Sequence, residues 1–248
     1  MKLKILGCVS PYPKKKNACP GYLIKSDNTK VLLDCGNGIT KNLNLPDDLF
    51  NLTIIISHLH KDHYGDLLVL SYASYVYNKL CILKNKIDVY IPNDKTLDDF
   101  KYLNSFNEEN YLNFITYNEN TKLNIDNLNI TFKKTKHPIE TYAIKIKDNK
   151  NTITYSADTG FDNDLINFFK NSDLLLCESS FLKEHKKNNN HLSAEEAARL
   201  ADLSNVKKLL LTHFWPEIKS KKYLKEAKII FKKTNIAKTN KIYKLKKK

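Results

Sequence analysis

Ten consecutive residues near the end of the first quarter of the chain hold an unusual concentration of acids and imidazoles. The stretch SHLHKDHYGD, residues 57–66, contains three histidines and two aspartates and directly follows an apolar run. Residues two apart in an extended chain point to the same side, so His58 and His60 can share one metal ion if the strand continues past that run. Asp62 and His63 follow where the chain turns towards a helix, and they would face a second ion. The stretch therefore predicts ligands for two neighbouring metals.

The same design recurs further along the chain. Several separate apolar runs each end in one residue that can bind a metal or move a proton, and these residues are His137, Asp158, Glu178 and His213. A rigid sheet whose strand ends converge on one edge is a common way to assemble a site from residues distant in sequence. Each residue alone would more often be a hydrogen-bonded structural group or a turn cap. Together with residues 57–66, however, the set predicts a metal site.

Hydrophobic periodicity predicts many strands and a few helices. Strands are predicted at residues 3–9, 22–26, 30–34, 52–56, 88–91, 128–136, 142–147, 151–156, 173–177, 207–211 and 241–245. Helices are predicted at residues 65–78, 95–103, 161–169, 193–203 and 220–232. Ser193 and Glu196 have the spacing of a capping box. No Pro/Gly/Ser-rich linker or short repeat divides the chain, so we expect one domain over residues 1–248, with mixed sheets covered by helices.

The formal net charge of +14 has two interpretations. Clustered cations favour nucleic acid as a partner, because they release counterions when they meet phosphates. Arg199 is the only arginine, however, and abundant lysine and asparagine are also typical of a strongly AT-biased genome. The densest basic stretches are residues 14–16 and the tail from 219 to 248. Both interpretations stay open, because the sequence does not reveal whether the lysines share one face.

The sequence favours a cytoplasmic protein without a membrane partner. No stretch approaches the roughly 20 apolar residues of a membrane span, and the N-terminal apolar segment is too short for a signal peptide. The cysteines are scattered and never form a C-x-x-C spacing. They are predicted to be reduced and mostly buried, and they are Cys8, Cys19, Cys35, Cys81 and Cys177.

The motifs resemble those of the metallo-β-lactamase superfamily. They follow in the superfamily's order, which here reads His58-x-His60-x-Asp62-His63, His137, Asp158 and His213. The earlier segment VLLDCGNG, residues 31–38, matches the superfamily's strand-Asp-Cys-Gly turn. The resemblance covers about residues 3–214. It implies an α/β (α+β) fold, a four-layer αββα sandwich with a dinuclear metal site at the edges of its sheets.

The resemblance also implies a role for each site residue. His58, His60 and His137 would bind one metal, Asp62, His63 and His213 the other, and Asp158 would bridge them. Asp34 would support the ligands without binding. All ligands are nitrogen or oxygen donors, which suits two divalent ions, with Zn²⁺ favoured by affinity and Mn²⁺ or Fe²⁺ as alternatives. Asp66 is predicted to be an ordinary solvated or capping acid.

One segment resembles a particular group within the superfamily. Residues 174–201 resemble the ribonuclease Z group, in which a strand-end glutamate is followed by a histidine at the start of a helix. This implies that Glu178 orients His191, that His191 donates a proton to the leaving oxygen, and that Asp62 completes the catalytic set. His191 could instead be a plain surface residue before the helix cap. The tRNA-processing members carry a long arm between the second and third metal motifs, whereas only residues 138–157 lie there in this chain.

Three functions from different classes follow. The first is a dinuclear metal-dependent phosphodiesterase that acts on RNA ends, cyclic nucleotides or another small phosphodiester. The second is a thioester or lactone hydrolase of the glyoxalase II type. The third is a nucleic-acid-binding protein with a relict metal site, suggested by the charge. The family resemblance also implies a homodimer.

Overall fold

The computed structural model describes residues 1–105, 111–186 and 188–245, and the last three lysines of the basic tail lie outside these ranges. The strands are β1 (Lys2–Gly7), β2 (Gly21–Ser26), β3 (Thr29–Leu33), β4 (Leu52–Ile55), β5 (Ile87–Pro92), β6 (Leu112–Tyr117), β7 (Lys122–Ile125), β8 (Leu128–Lys134), β9 (Tyr142–Lys147), β10 (Thr152–Tyr155), β11 (Leu174–Glu178), β12 (Leu209–Thr212), β13 (Thr234–Ile236) and β14 (Ile242–Lys244). The helices are α1 (Lys61–Tyr64), α2 (Leu67–Lys79), α3 (Asp98–Ser105), α4 (Asp164–Phe169), α5 (Ala194–Leu203) and α6 (Ser220–Ile230), with 3₁₀ turns at Thr40–Asn42, Asp47–Leu49 and Lys183–His185.

The strands form two mixed sheets. In the described residues the first sheet has the order β14-β1-β2-β3-β4-β5-β6, and the second has the order β13-β12-β11-β10-β9-β8-β7. Strands β3 to β6 run parallel to one another, whereas β1, β2 and β3 are antiparallel. The second sheet repeats this arrangement, with β10 to β13 parallel and β7 to β10 antiparallel. The mixed sheets predicted from the sequence are therefore confirmed.

Three apolar clusters separate the layers. Alternate side chains of both sheets meet in one buried cluster, which includes Ile24 and Val31 of the first sheet and Ile144 and Ile153 of the second. A second cluster lies between the first sheet and helices α2 and α3, and a third lies between the second sheet and helices α4, α5 and α6. The order of layers is therefore helix, sheet, sheet, helix, which confirms the predicted αββα sandwich.

Two helices begin three residues later than predicted. The helix expected from residue 95 begins at Asp98, and the helix expected from residue 161 begins at Asp164. In both cases an aspartate side chain binds the backbone just before the helix. Asp94 Oδ1 accepts from Thr96 N at 3.3 Å, and Asp162 Oδ1 accepts from Asp164 N at 2.9 Å. Such local bonds compete with helical hydrogen bonds and delay the start of the helix.

The capping box at the start of α5 is confirmed, and we expect Ser193→Ala to weaken the fold. Ser193 Oγ accepts from Glu196 N at 3.2 Å, and Glu196 Oε2 accepts from Ser193 N at 2.9 Å. Loss of the cap should lower the free energy of unfolding by about 1 kcal/mol, which corresponds to a melting temperature lower by about 2–4 °C. Ser105→Ala, at an exposed position, is the control and should change the free energy by less than about 0.5 kcal/mol. Equal melting temperatures for the two variants would contradict the capping role.

The structure tests the prediction that the cysteines are unpaired and mostly buried. All five cysteines are free thiols, and Cys81 is exposed while the other four are buried. The predicted set of mostly buried, unpaired thiols is therefore confirmed.

Across the described ranges, every helix is too short or too polar to traverse a lipid bilayer.

Candidate metal centre

Strand ends deliver the candidate ligands to one edge of the sandwich. Strands β10, β11 and β12 run parallel, so their carboxyl ends share an edge of the second sheet. Asp158 follows β10, Glu178 is the last residue of β11, and His213 directly follows β12. In the first sheet the parallel strands β3 and β4 are followed by Asp34 and by His58. The strand-end positions are those that the sequence predicts.

The continuation of the strand past Ile56, which would place His58 and His60 on one side, does not form, although the backbone of His60 itself is extended. Strand β4 ends at Ile55, and residues 57–60 form a loop that leads into α1. The ladder stops because Ser57 N donates to the side chain of Asp34, at 2.7 Å from Oδ1, and not to a neighbouring strand. His58 Nε2 and His60 Nδ1 nevertheless lie 3.0 Å apart. A loop, and not a strand, brings these two imidazoles together.

Four side chains form the first group of donor atoms, and they are His58, His60, His137 and Asp158. His60 Nδ1 lies 3.0 Å from His58 Nε2 and 3.2 Å from His137 Nε2. His58 Nε2 lies 3.6 Å from Asp158 Oδ2. One donor atom from each residue lies within 4.8 Å of the other three. Four nitrogen and oxygen donors at this spacing suit one divalent ion with bonds of about 2 Å.

Three further side chains, Asp62, His63 and His213, form a second group within the same limit. His63 Nε2 lies 3.1 Å from His213 Nε2 and 3.6 Å from Asp62 Oδ2. Asp158 also contacts this group, because its Oδ2 lies 3.5 Å from His63 Nε2 and its Oδ1 lies 3.2 Å from His213 Nε2. The Asp158 carboxylate therefore contacts both groups, as a bridging ligand must. The structure brings all seven predicted ligands together.

Most of the histidines have their second ring nitrogen held by the protein. The bonded pairs are His58 Nδ1 with Ser57 Oγ at 3.0 Å, His63 Nδ1 with Asp34 Oδ2 at 2.8 Å, His137 Nδ1 with Asn190 O at 3.2 Å, and His213 Nδ1 with Ser180 Oγ at 2.8 Å. Such bonds fix the ring orientation and the tautomer. They leave the Nε2 lone pairs of these four residues for the centre.

Asp34 holds the first-sheet side of the centre, and it is fully buried. In addition to His63, its carboxylate accepts hydrogen bonds from Ser57 N at 2.7 Å, Ser57 Oγ at 3.0 Å and the Tyr155 hydroxyl at 2.8 Å. All of its hydrogen-bonding capacity is thus directed to the protein. This geometry matches the supporting role that the resemblance implies.

The prediction that Asp66 is an ordinary solvated or capping acid is wrong, because Asp66 is buried and, although it occupies the N-cap position of α2, its side chain makes no capping hydrogen bond. Asp66 is 7% exposed, and its carboxylate accepts hydrogen bonds from Gly38 N and Thr40 N, each at 2.8 Å. The residue therefore secures the turn after β3 to the start of α2. Gly36 in the same turn lies against the metal motif, because a Cβ there would lie 2.0 Å from the Asp62 carbonyl oxygen. The DCGNG turn and the histidine motif can pack only with glycine at this position.

Three residues around the centre have left-handed backbone conformations although none is glycine. Their φ angles are 57° at Asp34, 51° at Ala157 and 62° at His213. Each such conformation costs roughly 1–2 kcal/mol in an ordinary residue. Strained backbone of this kind concentrates where function requires a particular side-chain position.

Burial and neighbouring charges set the proton affinities of the histidines. Burial, together with the neighbouring imidazoles, lowers the pKa of His58 well below its usual value and lowers the pKa of His137 to about 4. These two imidazoles are therefore neutral at pH 7, which is the form that binds metals. At His63 burial acts in the same direction, but Asp158, Asp62 and Asp34 raise its pKa overall. A divalent cation would compete with a proton for that nitrogen.

Two features of the candidate ligands fit a pair of cations. Asp158 Oδ1 is buried and accepts no hydrogen bond from the described residues. Ring nitrogens also converge on one another, since His60 Nδ1 faces both His58 Nε2 and His137 Nε2 at 3.0 and 3.2 Å. One proton can satisfy only one such nitrogen pair at a time. An orphaned carboxylate oxygen and converging lone pairs are the arrangement that a bound cation would complete.

Glu178 and His191 lie beside the seven candidate ligands. His191 Nδ1 is 2.9 Å from Glu178 Oε1 and 3.8 Å from Asp158 Oδ2. Burial opposes a charge on this imidazole, but the Glu178 carboxylate raises the pKa of His191 to about 9. Glu178 itself is fully buried, and it also accepts from Thr159 N at 2.9 Å. The alternative of a plain surface histidine does not describe this geometry.

Two serines at the centre are not predicted by any sequence pattern. Ser10 Oγ donates to Asp62 Oδ2 at 2.7 Å, and Ser180 Oγ lies 2.9 Å from Glu178 Oε2 as well as 2.8 Å from His213 Nδ1. Ser180 thus links the Glu178 carboxylate to a candidate ligand. Ser180 sits in the segment ESS after β11, and no local pattern distinguishes it from Ser179 beside it.

Comparison with known proteins gives the family. Residues 29–214 match the model of the beta-lactamase superfamily domain. The probable metallo-hydrolase YhfI of Bacillus subtilis is 31% identical over 243 residues, which cover 96% of this chain and 98% of YhfI. The crystal structure of YhfI, a metallo-beta-lactamase fold protein, superimposes with a TM-score of 0.88 at 29% identity, and the match covers 98% of this chain and 99% of YhfI.

A ribonuclease Z is also related. The ribonuclease Z of Saccharolobus solfataricus is 27% identical over 290 aligned positions, which cover 94% of this chain and 96% of that enzyme. The family model spans most of the described core and all seven candidate ligands. This protein therefore belongs to the beta-lactamase superfamily, with relatives among the metallo-hydrolases and the ribonucleases Z.

Proposed function

We propose that this protein is a dinuclear metal-dependent phosphodiesterase that acts on a small phosphodiester, a cyclic nucleotide or an RNA end. One observation carries the proposal. Asp158 contacts both groups of candidate ligands, and the Glu178–His191 pair lies against it, with His191 Nδ1 3.8 Å from Asp158 Oδ2. Two bound divalent ions would lower the pKa of a water and stabilise the oxygens of an in-line displacement. The protein would then have to supply a proton for the leaving oxygen.

His191 is the residue that would supply this proton. Its Nδ1 is occupied by Glu178, so Nε2 is the nitrogen available to a substrate. His191 lines the open cleft above the candidate ligands, together with His60, Asp62 and Asp158. Glu178 would act as a positioning residue, because its buried carboxylate holds the ring and favours its protonated form. The cleft has a volume of about 470 Å³, which suits a small substrate.

The topology argues against a tRNA substrate gripped by an arm. The residues between His137 and Asp158 fold into strands β9 and β10 of the second sheet. An antiparallel pairing from Thr152↔Lys147 to Tyr155↔Ile144 leaves a short turn between them. The described residues between His137 and Asp158 therefore form no protruding arm.

The name of one relative, a probable metallo-hydrolase, supports a hydrolase, and the name of another, a ribonuclease Z, supports a phosphodiester substrate.

A substrate panel tests the reaction class. Protein reconstituted with Zn²⁺ or Mn²⁺ should hydrolyse bis-p-nitrophenyl phosphate, and it should prefer this ester to acyl-glutathione and to lactones. A clear preference for thioesters or lactones would replace the proposal with the glyoxalase II type of activity. Tight, salt-sensitive RNA binding without turnover of any substrate would favour a nucleic-acid-binding protein with a relict site. The homodimer and the single domain over residues 1–248 stay predictions.

We expect Asp34→Asn to weaken metal binding without unfolding the protein. The amide keeps the shape of the side chain, but it removes the charge that holds His63 Nδ1 at 2.8 Å. Loss of such a supporting carboxylate typically lowers metal affinity by about 10–100-fold. Competition with a chelating indicator measures the dissociation constant. Asp27→Asn, at an exposed turn, is the control, and equal affinities for both variants would contradict the supporting role of Asp34.

A further inference from the structure

A second cavity lies beside the candidate metal centre and takes no part in holding it. Its volume is about 520 Å³, in the range of small-ligand pockets. Only two paired segments separate it from the centre. Val9 forms a bridge with Phe214, and Ser10 N donates to Phe214 O at 2.9 Å. Ser10 Oγ on the other side binds Asp62 at 2.7 Å. The cavity and the centre are therefore neighbours on the two sides of these paired segments.

The lining of the cavity combines an aromatic surface with polar groups. Trp215, Phe214 and Pro216 supply its apolar part, and Trp215 remains 39% exposed. The Trp215 ring packs against Phe181 with a centroid distance of 5.1 Å, and Phe181 in turn lies 6.0 Å from the ring of His191. Asn17 lies in the polar part, where its Oδ1 accepts from Thr239 Oγ1 at 3.4 Å and its amide nitrogen can donate. Aromatic side chains with adjacent amides suit a planar, hydrogen-bonding ring.

The charge of the cavity is positive. Among the residues that the structure describes, no aspartate or glutamate lines it, although the metal cleft beside it is lined by three aspartates. Lys16 and Lys238 line it, both are exposed, and within the described ranges neither ammonium group has an acidic partner. Glu217 is flanked by lining residues, but its carboxylate is bound by Lys14 at 2.7 Å and by the Tyr12 hydroxyl at 3.0 Å. The two free lysines suit a phosphate.

We propose that this cavity is a nucleotide subsite, in which the base packs on Trp215 and a phosphate lies between Lys16 and Lys238. This inference rests on the proposed function, because it assigns the second half of the substrate to a place next to the reacting phosphodiester. Phe214 alone among its lining residues falls within residues 29–214, the part that matches the family model.

Tryptophan fluorescence tests the subsite without any need for catalysis, because Trp215 is the only tryptophan in the chain. AMP added to the wild-type protein should quench the emission in a saturable manner, and the quench should persist in Asp158→Ala. The double variant Lys16→Gln/Lys238→Gln should weaken AMP binding about tenfold or more, whereas Lys221→Gln on α6 should not. N-acetyltryptophanamide with the same AMP concentrations corrects for absorption. No saturable quench, or a quench that both lysine variants retain, would overturn the subsite.

Kinetics provide the second test and separate the two proposals. Bis-p-nitrophenyl phosphate and the p-nitrophenyl ester of thymidine 5′-phosphate share a leaving group, but only the second carries a base. Trp215→Ala should raise KM for the thymidine ester about tenfold and change kcat/KM for the other ester less than twofold. Equal losses on both esters, or none, would overturn the subsite and leave the phosphodiesterase proposal intact. Saturable quenching by AMP in a protein that hydrolyses neither ester would support the subsite and overturn the phosphodiesterase proposal. A short oligoadenylate that quenches at lower concentration than AMP would identify an RNA end as the natural ligand.

Discussion

Replacing Asp158 by alanine should abolish the hydrolysis of bis-p-nitrophenyl phosphate. Asp158 is 2% exposed, and its two oxygens contact His58, His63 and His213 at 3.2 to 3.6 Å. Removal of this carboxylate takes the shared ligand from both proposed ions and takes the nearest negative charge from His58 and His213. Loss of one preorganised electrostatic group at a reacting centre typically costs 10²–10³ in rate, so we expect a decrease in kcat/KM of at least about 10³-fold.

Matched measurements separate this effect from unfolding. Asp164→Ala removes an exposed aspartate six residues further along the chain and should retain full activity. The melting temperature and the metal content of both variants are measured together with their rates. Asp158→Ala should remain folded with a reduced metal content. Normal turnover by folded Asp158→Ala would contradict the proposed mechanism.

The second large effect is the loss of kcat in His191→Ala, and its size should depend on the leaving group of the substrate. An alkoxide needs a proton as it departs, whereas p-nitrophenolate is a stable anion and needs little help. His191→Ala should therefore lower kcat for an alkyl phosphodiester, such as a dinucleotide, by about 10²–10⁴-fold. The same variant should lower kcat for bis-p-nitrophenyl phosphate by less than about tenfold. Glu178→Gln should cause a smaller loss with the same dependence on the leaving group, because Glu178 acts through His191.

His185→Ala is the matched control for this experiment. His185 lies six residues earlier in the same segment, its side chain is 42% exposed, and its nearest acid is Glu184 at 3.8 Å. This variant should behave as the wild type with both esters. A loss in His191→Ala that is equal for good and poor leaving groups would assign the residue to structure or metal binding instead of proton donation.

The sequence predicted the centre of each sheet better than its edges. The strands that periodicity missed are β6, β7 and β13, and each lies at the edge of a sheet. β7 has no fully buried residue, and β6 alternates buried with exposed or half-buried positions. Because one side of an edge strand has no neighbour, polar residues are tolerated there and the apolar pattern is diluted. The central strands β4, β11 and β12 are almost completely buried, and their apolar runs are unmistakable in the sequence.

The candidate ligands were predictable for a similar reason. Most of them follow a buried strand, and a polar residue at such a position stands out against the apolar run before it. His137 is the exception, because β8 ends in a half-buried and an exposed lysine. The supporting groups carry no such signal. Asp66 looks like any helix-capping acid in the sequence, and its role depends on the approach of the turn that contains Gly38 and Thr40. Ser10 lies 52 residues from Asp62 along the chain, so only the packing of the sheets reveals their contact.

The net charge of +14 remains open to both interpretations, but the structure gives one local use for it. Lys16 belongs to the basic stretch 14–16, and Lys238 belongs to the basic tail that begins at residue 219. The fold brings these two separate stretches to one cavity. Their lysines therefore need not bind a long nucleic acid to have a function, since a single nucleotide phosphate would suffice.

Anomalous diffraction from crystals of the protein reconstituted with Zn²⁺ tests the central claim most directly. We predict two peaks roughly 3.5–4 Å apart, one bound by His58, His60 and His137 and the other by Asp62, His63 and His213. Asp158 should contact both ions, and Asp34 should contact neither. Protein that retains no metal after reconstitution, or a single ion bound away from these residues, would contradict the account.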